Sequence, residues 1–219
     1  MGLYRKLAQS VHYTIRGTKV TVLKQDASLK VVGAGRSAYV FKIGGTNKVL
    51  KVYYPSHAYL AQEEAEIYNR LEGLSAYPKL HESGSNYIVI DYIDGNTLFD
   101  CLVKGIPING GKLAEIDEAL TKARYRGLNP SDIHLKNIFI TLGGNIKIID
   151  VARFRQAKQC RQWKDLKKGY QLFYKHRWCP KKWPPALLNF VAIIYKRRFV
   201  PNSLRSHSGI AKIGKAEEM

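Results

Sequence analysis

The spacing of apolar positions changes character along the chain. From His12 to about Tyr92 apolar and polar residues mostly alternate, whereas from Thr97 onward apolar residues recur at helical spacing. Alternation is the period of a strand, so the first stretch predicts a sheet and the second a set of helices. His12–Arg16 and Lys19–Leu23 flank Gly17 and read as strand, turn, strand. Leu29–Val32, Val40–Ile43, Lys48–Tyr54, Tyr77–Glu82 and Tyr87–Tyr92 account for a five-stranded sheet. One helix interrupts them over Ala58–Leu71, with Leu60, Glu64, Ile67 and Leu71 on a single stripe.

Glu64 is the odd residue on that stripe, because a buried carboxylate is tolerable chiefly when paired. Strand parity puts Val49 and Lys51 on one face, which makes Lys51 the candidate partner. The plain alternative is a wet acidic face of Glu63, Glu64 and Glu66 with a solvated Lys51. Asp94-Gly95 breaks the chain before helical patterns at Leu98–Val103 and Leu113–Arg126. A further pattern begins at Trp163, and a final amphipathic one runs through Leu187, Leu188, Val191, Ile194 and Tyr195. The apolar run Ala186–Ile194 is far shorter than the ~20 residues of a membrane span and reads as a buried or interfacial helix. The expectation is an α+β fold: a sheet-rich part over residues 1–94, a helical part over 95–199 and a flexible basic tail over 200–219.

Composition narrows the class. A hydrophobic content of 45% suits a globular protein rather than a disordered one. Cys101, Cys160 and Cys179 are widely spaced with no C-x-x-C pair, which suggests neither a disulfide framework nor a zinc site and points to a reducing compartment. The N-terminus lacks a signal-peptide pattern, so the expected location is the cytoplasm, with peripheral attachment to an anionic surface as an option. The net charge of +19 is uneven: residues 151–219 hold 17 Lys and Arg against 3 Asp and Glu, while residues 1–150 hold 19 against 14. Such a field favours acidic partners, nucleic acid, an anionic membrane or a polyphosphate. Trp163, Tyr170, Phe173, Tyr174, Trp178 and Trp183 are interleaved with these cations and suit either nucleic-acid stacking or a small core with solvated charges around it.

Candidate chemistry sits in two acidic turns. Asn129-Pro-Ser-Asp132-Ile-His-Leu-Lys136-Asn137 places an acid and an amide five positions apart, and Asp150 follows after apolar residues. That set can hold metal ions and orient a hydroxyl, as phosphoryl transfer requires. Upstream, Gly33-Ala34-Gly35 between strands lets backbone amides come close to a phosphate, although a plain hairpin uses the same residues.

In order, these features resemble a eukaryotic-type (Hanks-type) serine/threonine protein kinase of the small bacterial sort. The resemblance runs from about Val31 to Asp150: glycine turn with Val40, strand lysine Lys51, helix glutamate Glu64, hinge Ile90-Asp91-Tyr92-Ile93, the loop from Asp132 to Asn137, and Asp150. It implies a two-lobed kinase-like fold with a truncated, mainly helical C-lobe. It also implies ATP with Mg²⁺, or Mn²⁺ in its place, and a protein substrate. On that basis the amides of Gly33 to Ser37 would cover the phosphates and Lys51, held by Glu64, would contact them. The hinge at Asp91 to Ile93 would bind adenine with Ile90 behind it, Asn137 and Asp150 would hold metal, and Asp132 would take the hydroxyl proton.

Departures accompany the matches. Pro130-Ser131 stands where the family writes His-Arg, so no arginine is present there to engage an activation-loop phosphate. His134 takes the place of a lysine, and Lys136 is expected to supply the missing charge. Val151-Ala152 replaces Phe-Gly, and valine would fill the space behind the metal acid less well. Asp165 resembles the acid that caps the loop from a central helix, or is an ordinary helix-start acid. A binding protein without efficient catalysis and a small-molecule or glycan kinase are the competing functions.

Overall fold

The structure, a computed structural model, describes residues 2–17, 19–157 and 160–199. It opens with α1 (Leu3–Ser10), which buries only Leu7 and Ala8 and has no side-chain cap. The strand-turn-strand reading is met by β1 (His12–Arg16) and β2 (Lys19–Lys24), which form a separate antiparallel pair. Tyr13 fastens that pair by donating its hydroxyl to the Val52 carbonyl at 3.0 Å.

The main sheet contains β3 (Leu29–Ala34), β4 (Ala38–Ile43), β5 (Lys48–Tyr53), β6 (Leu80–Ser83) and β7 (Tyr87–Asp91). Its order is β3-β4-β5-β7-β6, antiparallel throughout. Alternation divides the buried residues between two cores. Leu50 and Val52 face a small outer core with Phe41 and Val89, covered by α1. Val49 and Tyr53 face the main core, where α2 (Leu60–Arg70) contributes Ala61, Ala65, Ile67 and Tyr68. The expected strand at Tyr77–Glu82 begins only at Leu80. Tyr77 is instead buried, with its hydroxyl donating to the Ala119 carbonyl at 3.2 Å.

The main core continues without interruption into the second half of the chain. There α3 (Leu98–Lys104) starts at a capping box, Thr97 and Asp100 bonding each other's backbone N–H, and ends at Gly105 with φ 75°. α4 (Gly110–Tyr125) is capped by Asn109. This half is less purely helical than expected, because β8 (Gly95–Thr97), β9 (Ile138–Thr141) and β10 (Ile146–Ile148) form a three-stranded sheet beneath the functional loop. α5 (Gln162–Gly169) runs into a π-helical turn at Tyr170–Tyr174, and α6 (Pro185–Phe199) follows. The apolar run expected to be buried or interfacial is helical, and of those two alternatives the exposure of Leu187, Phe190, Val191, Ile193 and Ile194 excludes the buried one. No described helix is long and apolar enough to cross a membrane. The tail expected over 200–219 lies outside the described residues.

β8 crosses β9 so closely that a Cβ at Gly95 would lie 2.3 Å from the Ile140 carbonyl oxygen and 2.7 Å from the Thr141 Cα. Both obstacles are backbone, so the strands must separate to admit a side chain. Gly95→Ala is expected to cost about 1–3 kcal/mol, as overpacking of a closed site does. A urea midpoint matching that of the parent would contradict the strand geometry.

Candidate active site

The site is built where β5, α2, the loop before β9 and the turn after β10 converge. Lys51 projects from β5 toward α2, and its Nζ donates to Glu64 Oε2 at 2.7 Å and Oε1 at 3.0 Å. The same ammonium reaches Asp150 Oδ1 at 3.1 Å, so one cation joins the sheet, the helix and the turn. Glu64 is 1% exposed, which settles the paired reading over the wet acidic face. Tyr53, two residues beyond Lys51 on the same face of β5, donates its hydroxyl to Glu64 Oε2 at 2.5 Å. Parity along the strand was the available signal for Tyr53.

These contacts set the protonation states. Burial alone would depress Lys51, but Glu64 and Asp150 outweigh it and hold the ammonium above its ordinary range. Burial pushes Glu64 up against the opposing pull of Lys51. Asp150, half-exposed, is held below the usual carboxylate range, first by the Lys51 charge.

The two acids share a backbone peculiarity. Among the described residues only Asp132 (φ 60°) and Asp150 (φ 58°) adopt positive φ without being glycine. Such conformations cost of order 1–3 kcal/mol each and persist where surrounding contacts impose them. Asn137 donates its Nδ2 to the Asp132 carbonyl at 3.1 Å, so the Oδ1 is the acceptor atom remaining on that side chain. The Asn137 carbonyl accepts from Ile149 N–H, tying the loop to the residue before Asp150. Asn129 ties it to the following segment through its N–H to Phe154 and its Nδ2 to Gln156. Asn129 was not singled out in the sequence, and it supports the loop where Pro130 and Ser131 provide no cation.

Around Asp132 the structure places His134 Nε2 at 4.0 Å and Arg153 Nε at 3.6 Å. Arg153 is a functional candidate that sequence reasoning missed. Lys136, expected at the transferring phosphate, directs its Nζ to Asn189 of α6 at 3.2 Å and over the Phe99 ring at 4.4 Å. The contact shown for Asp165 is with Tyr195 of α6, whose hydroxyl donates to it at 2.6 Å. Val151 is fully buried in the main core, which also holds Tyr68 and Phe154.

The nucleotide-binding candidates lie along the sheet. Val40 is half-buried opposite Lys51, Ile90 is buried opposite Val49, and Ala34 ends β3 exposed. A Cβ at Gly33 would meet Val40 no closer than 3.6 Å, and one at Gly35 would meet the Ala38 carbonyl at 3.5 Å. Neither glycine has positive φ and a Cβ at either would make only ordinary contacts, so the turn itself does not demand them. Gly35 N–H is already given to Ala38, which removes one of the five amides expected to face a phosphate. In the hinge, Asp91 N–H bonds Lys79 and Tyr92 N–H bonds Asn47. The Asp91 carboxylate accepts from Lys79 N–H and pairs with His81, while Lys42 sits over the Tyr92 ring. Ile93, the last residue assigned to the hinge, follows Tyr92 outside the strand and is half-buried.

The described residues contain no group of three or more His, Cys, Asp or Glu able to hold a metal unaided. Asp150 and Asn137 give two oxygen donors, which suits a hard cation that takes its other ligands from phosphate and water. The basic third divides: Trp163 and Tyr174 are buried, with Trp163 Nε1 donating to Asp117, while Phe173 and Trp178 are exposed.

No family model matches the sequence. Over 193 residues the chain is 44% identical to a protein of Bacillus subtilis (strain 168) named "Putative serine/threonine-protein kinase YrzF", covering 87% of this chain and 90% of that one.

Removing the shared cation tests the site's electrostatics. Lys51→Met strands Glu64 as an unpaired buried carboxylate and is expected to destabilise the protein by roughly 3–5 kcal/mol near neutral pH. With the cation gone, Glu64 has a folded pKa above its unfolded value. Stability from such a group is present at low pH and lost as pH rises, so the deficit is expected to shrink on mild acidification. Urea unfolding at the two pH values checks this, and a deficit independent of pH would contradict it.

Proposed function

Because the chain belongs to the family of small bacterial protein kinase-like proteins, we propose that it transfers the γ-phosphate of ATP to a serine or threonine hydroxyl of a protein. The observation that carries this reading is the sharing of Lys51 between Glu64 and Asp150. In phosphoryl transfer the protein's task is positioning and charge stabilisation, and this cluster aligns a cation with a metal-ready acid.

The contacts and the family support the following roles. Lys51 binds the α and β phosphates, with Glu64 and Tyr53 holding its stem in place. The turn at Gly33, Ala34 and Gly35 lies over the phosphates, Val40 and Ile90 enclose the base, and Ile93 N–H donates to it beside Asp91 and Tyr92. Asp150 and Asn137 would hold Mg²⁺, or Mn²⁺, which when bound neutralises charge on the phosphates. Asp132 receives the hydroxyl proton as the acceptor oxygen bonds to the γ-phosphorus. The bond from that phosphorus to the bridging oxygen breaks, and its electron pair leaves with ADP. Lys136 is assigned electrostatic support at the loop, from a position steadied by Asn189.

The segment Val151 to Gln162 contains no serine, threonine or tyrosine, so its own phosphorylation cannot serve as a switch. Arg155 is paired directly with Glu66 of α2 at 2.5 Å, a link that needs no phosphate. This favours a kinase without activation-loop control. The free thiols suit a reducing interior, and we place the protein in the cytoplasm. A second reading, binding of nucleic acid or an anionic membrane through the basic third without catalysis, draws on exposed Trp178 and Phe173.

Incubation with γ-labelled ATP and Mg²⁺ and a mixed protein substrate tests the assignment. Label is expected in protein-bound phosphoserine or phosphothreonine. Asp132→Asn is expected to lower kcat by about 10²–10⁴, the range of a lost general base. Lys136→Ala is expected to lower kcat with little effect on KM for ATP. No incorporation by the parent would remove the activity, and an unchanged kcat in Lys136→Ala would remove that residue's role.

A further inference from the structure

The acceptor has to approach the face that presents Asp132, and that face has an unusual make-up. Asp132 is recessed, with its side chain 18% exposed, and Arg153 stands 3.6 Å from it while remaining half-exposed. The segment carrying Arg153 also carries Arg155, Lys158 and Arg161 and has no acid of its own. α6 lies alongside, fastened to the functional loop through Asn189 and Lys136 and to the start of α5 through Tyr195 and Asp165. Along this helix Leu187, Phe190, Val191 and Ile194 are exposed, at i, i+3, i+4 and i+7. An exposed apolar stripe beside a cationic mouth is a feature that solvation alone does not account for.

We propose that α6 serves as the docking platform for the acceptor and that the acceptor is an acidic protein segment. Aspartate or glutamate flanking its hydroxyl residue meets Arg153, and its apolar side chains lie on the α6 stripe. The inference rests on the kinase reading and names the substrate class for it. Charge selects this occupant over a second copy of the chain, which would bring the same basic excess to the contact. Shape selects it over a bilayer, because a recessed Asp132 is reached by a flexible segment and not by a flat surface. The stripe is aliphatic except for Phe190, so it offers little for successive bases to stack upon.

Two peptides with the same serine and the same apolar residues, one flanked by glutamate and the other by lysine, test this. Transfer is measured with Mg-ATP, and binding by anisotropy of labelled peptide without nucleotide, at low and high salt. The acidic peptide is expected to be favoured roughly ten-fold in kcat/KM, as a few exposed ion pairs allow, with the preference shrinking as salt rises. Arg153→Glu is expected to reverse the preference at unchanged KM for ATP. Val191→Ser is expected to weaken peptide binding at unchanged kcat. Equal or better use of the basic peptide overturns the inference while leaving the kinase reading intact. Capture of the protein by phosphatidylserine vesicles or a polynucleotide, with both peptides used alike, overturns it in favour of another polyanion. Transfer to neither peptide, nor to any protein, overturns the inference and the kinase reading together.

Discussion

A single ammonium holds the functional half of this molecule together. Lys51 is inaccessible enough that burial would favour its neutral form, yet two carboxylates from distant elements keep it charged. Each partner constrains a different piece: Glu64 fixes the rotation of α2 against the sheet, and Asp150 fixes the turn after β10. Tyr53 completes the arrangement by occupying a Glu64 oxygen, so the buried carboxylate has both a cation and a neutral donor. The left-handed conformation at Asp150 persists within these contacts, and that at Asp132 within the hydrogen bonds from Asn137 and around Asn129.

The departures from the kinase pattern become intelligible as local replacements. Where an arginine before the loop acid is missing, Asn129 links the loop to Phe154 and Gln156, and Arg153 approaches the acid from the following segment. Where phenylalanine is missing, Val151 is buried with Tyr68 and Phe154 in one core. The segment after Asp150 is short, free of hydroxyl residues and tied to α2 by Arg155 and Glu66. Exposed ion pairs of this kind contribute little to stability, so this tie matters for position rather than for energy.

Much of this was legible in the sequence because the relevant interactions are local or periodic. Five strands and α2 follow from period, and the pairing of Lys51 with Glu64 follows from parity and the cost of an unpaired buried carboxylate. Tyr53 was legible by the same parity. α1 was not identified although Leu3, Leu7 and Val11 recur at helical spacing, because only two turns of chain carry that pattern before the strands begin. The exposure of α6 was not legible either: an apolar stripe reports that a helix has a preferred face but not whether the chain supplies its cover. Arg153 and Asn129 depend on how two turns lie against each other, and no local pattern encodes that. The side chain of Lys136 is held by Asn189 and Phe99, on elements far away in sequence, and spacing along the loop does not encode that placement.

Lys51 and Asp150 are proposed to form a pre-assembled seat for a metal nucleotide. Calorimetric titration of ATP into the protein with and without Mg²⁺, repeated on Asp150→Ala, addresses it most directly. Binding is expected in the parent, stronger with Mg²⁺, and in Asp150→Ala the Mg²⁺ enhancement is expected to disappear. Absence of ATP binding under both conditions, or an enhancement that survives in Asp150→Ala, would contradict it.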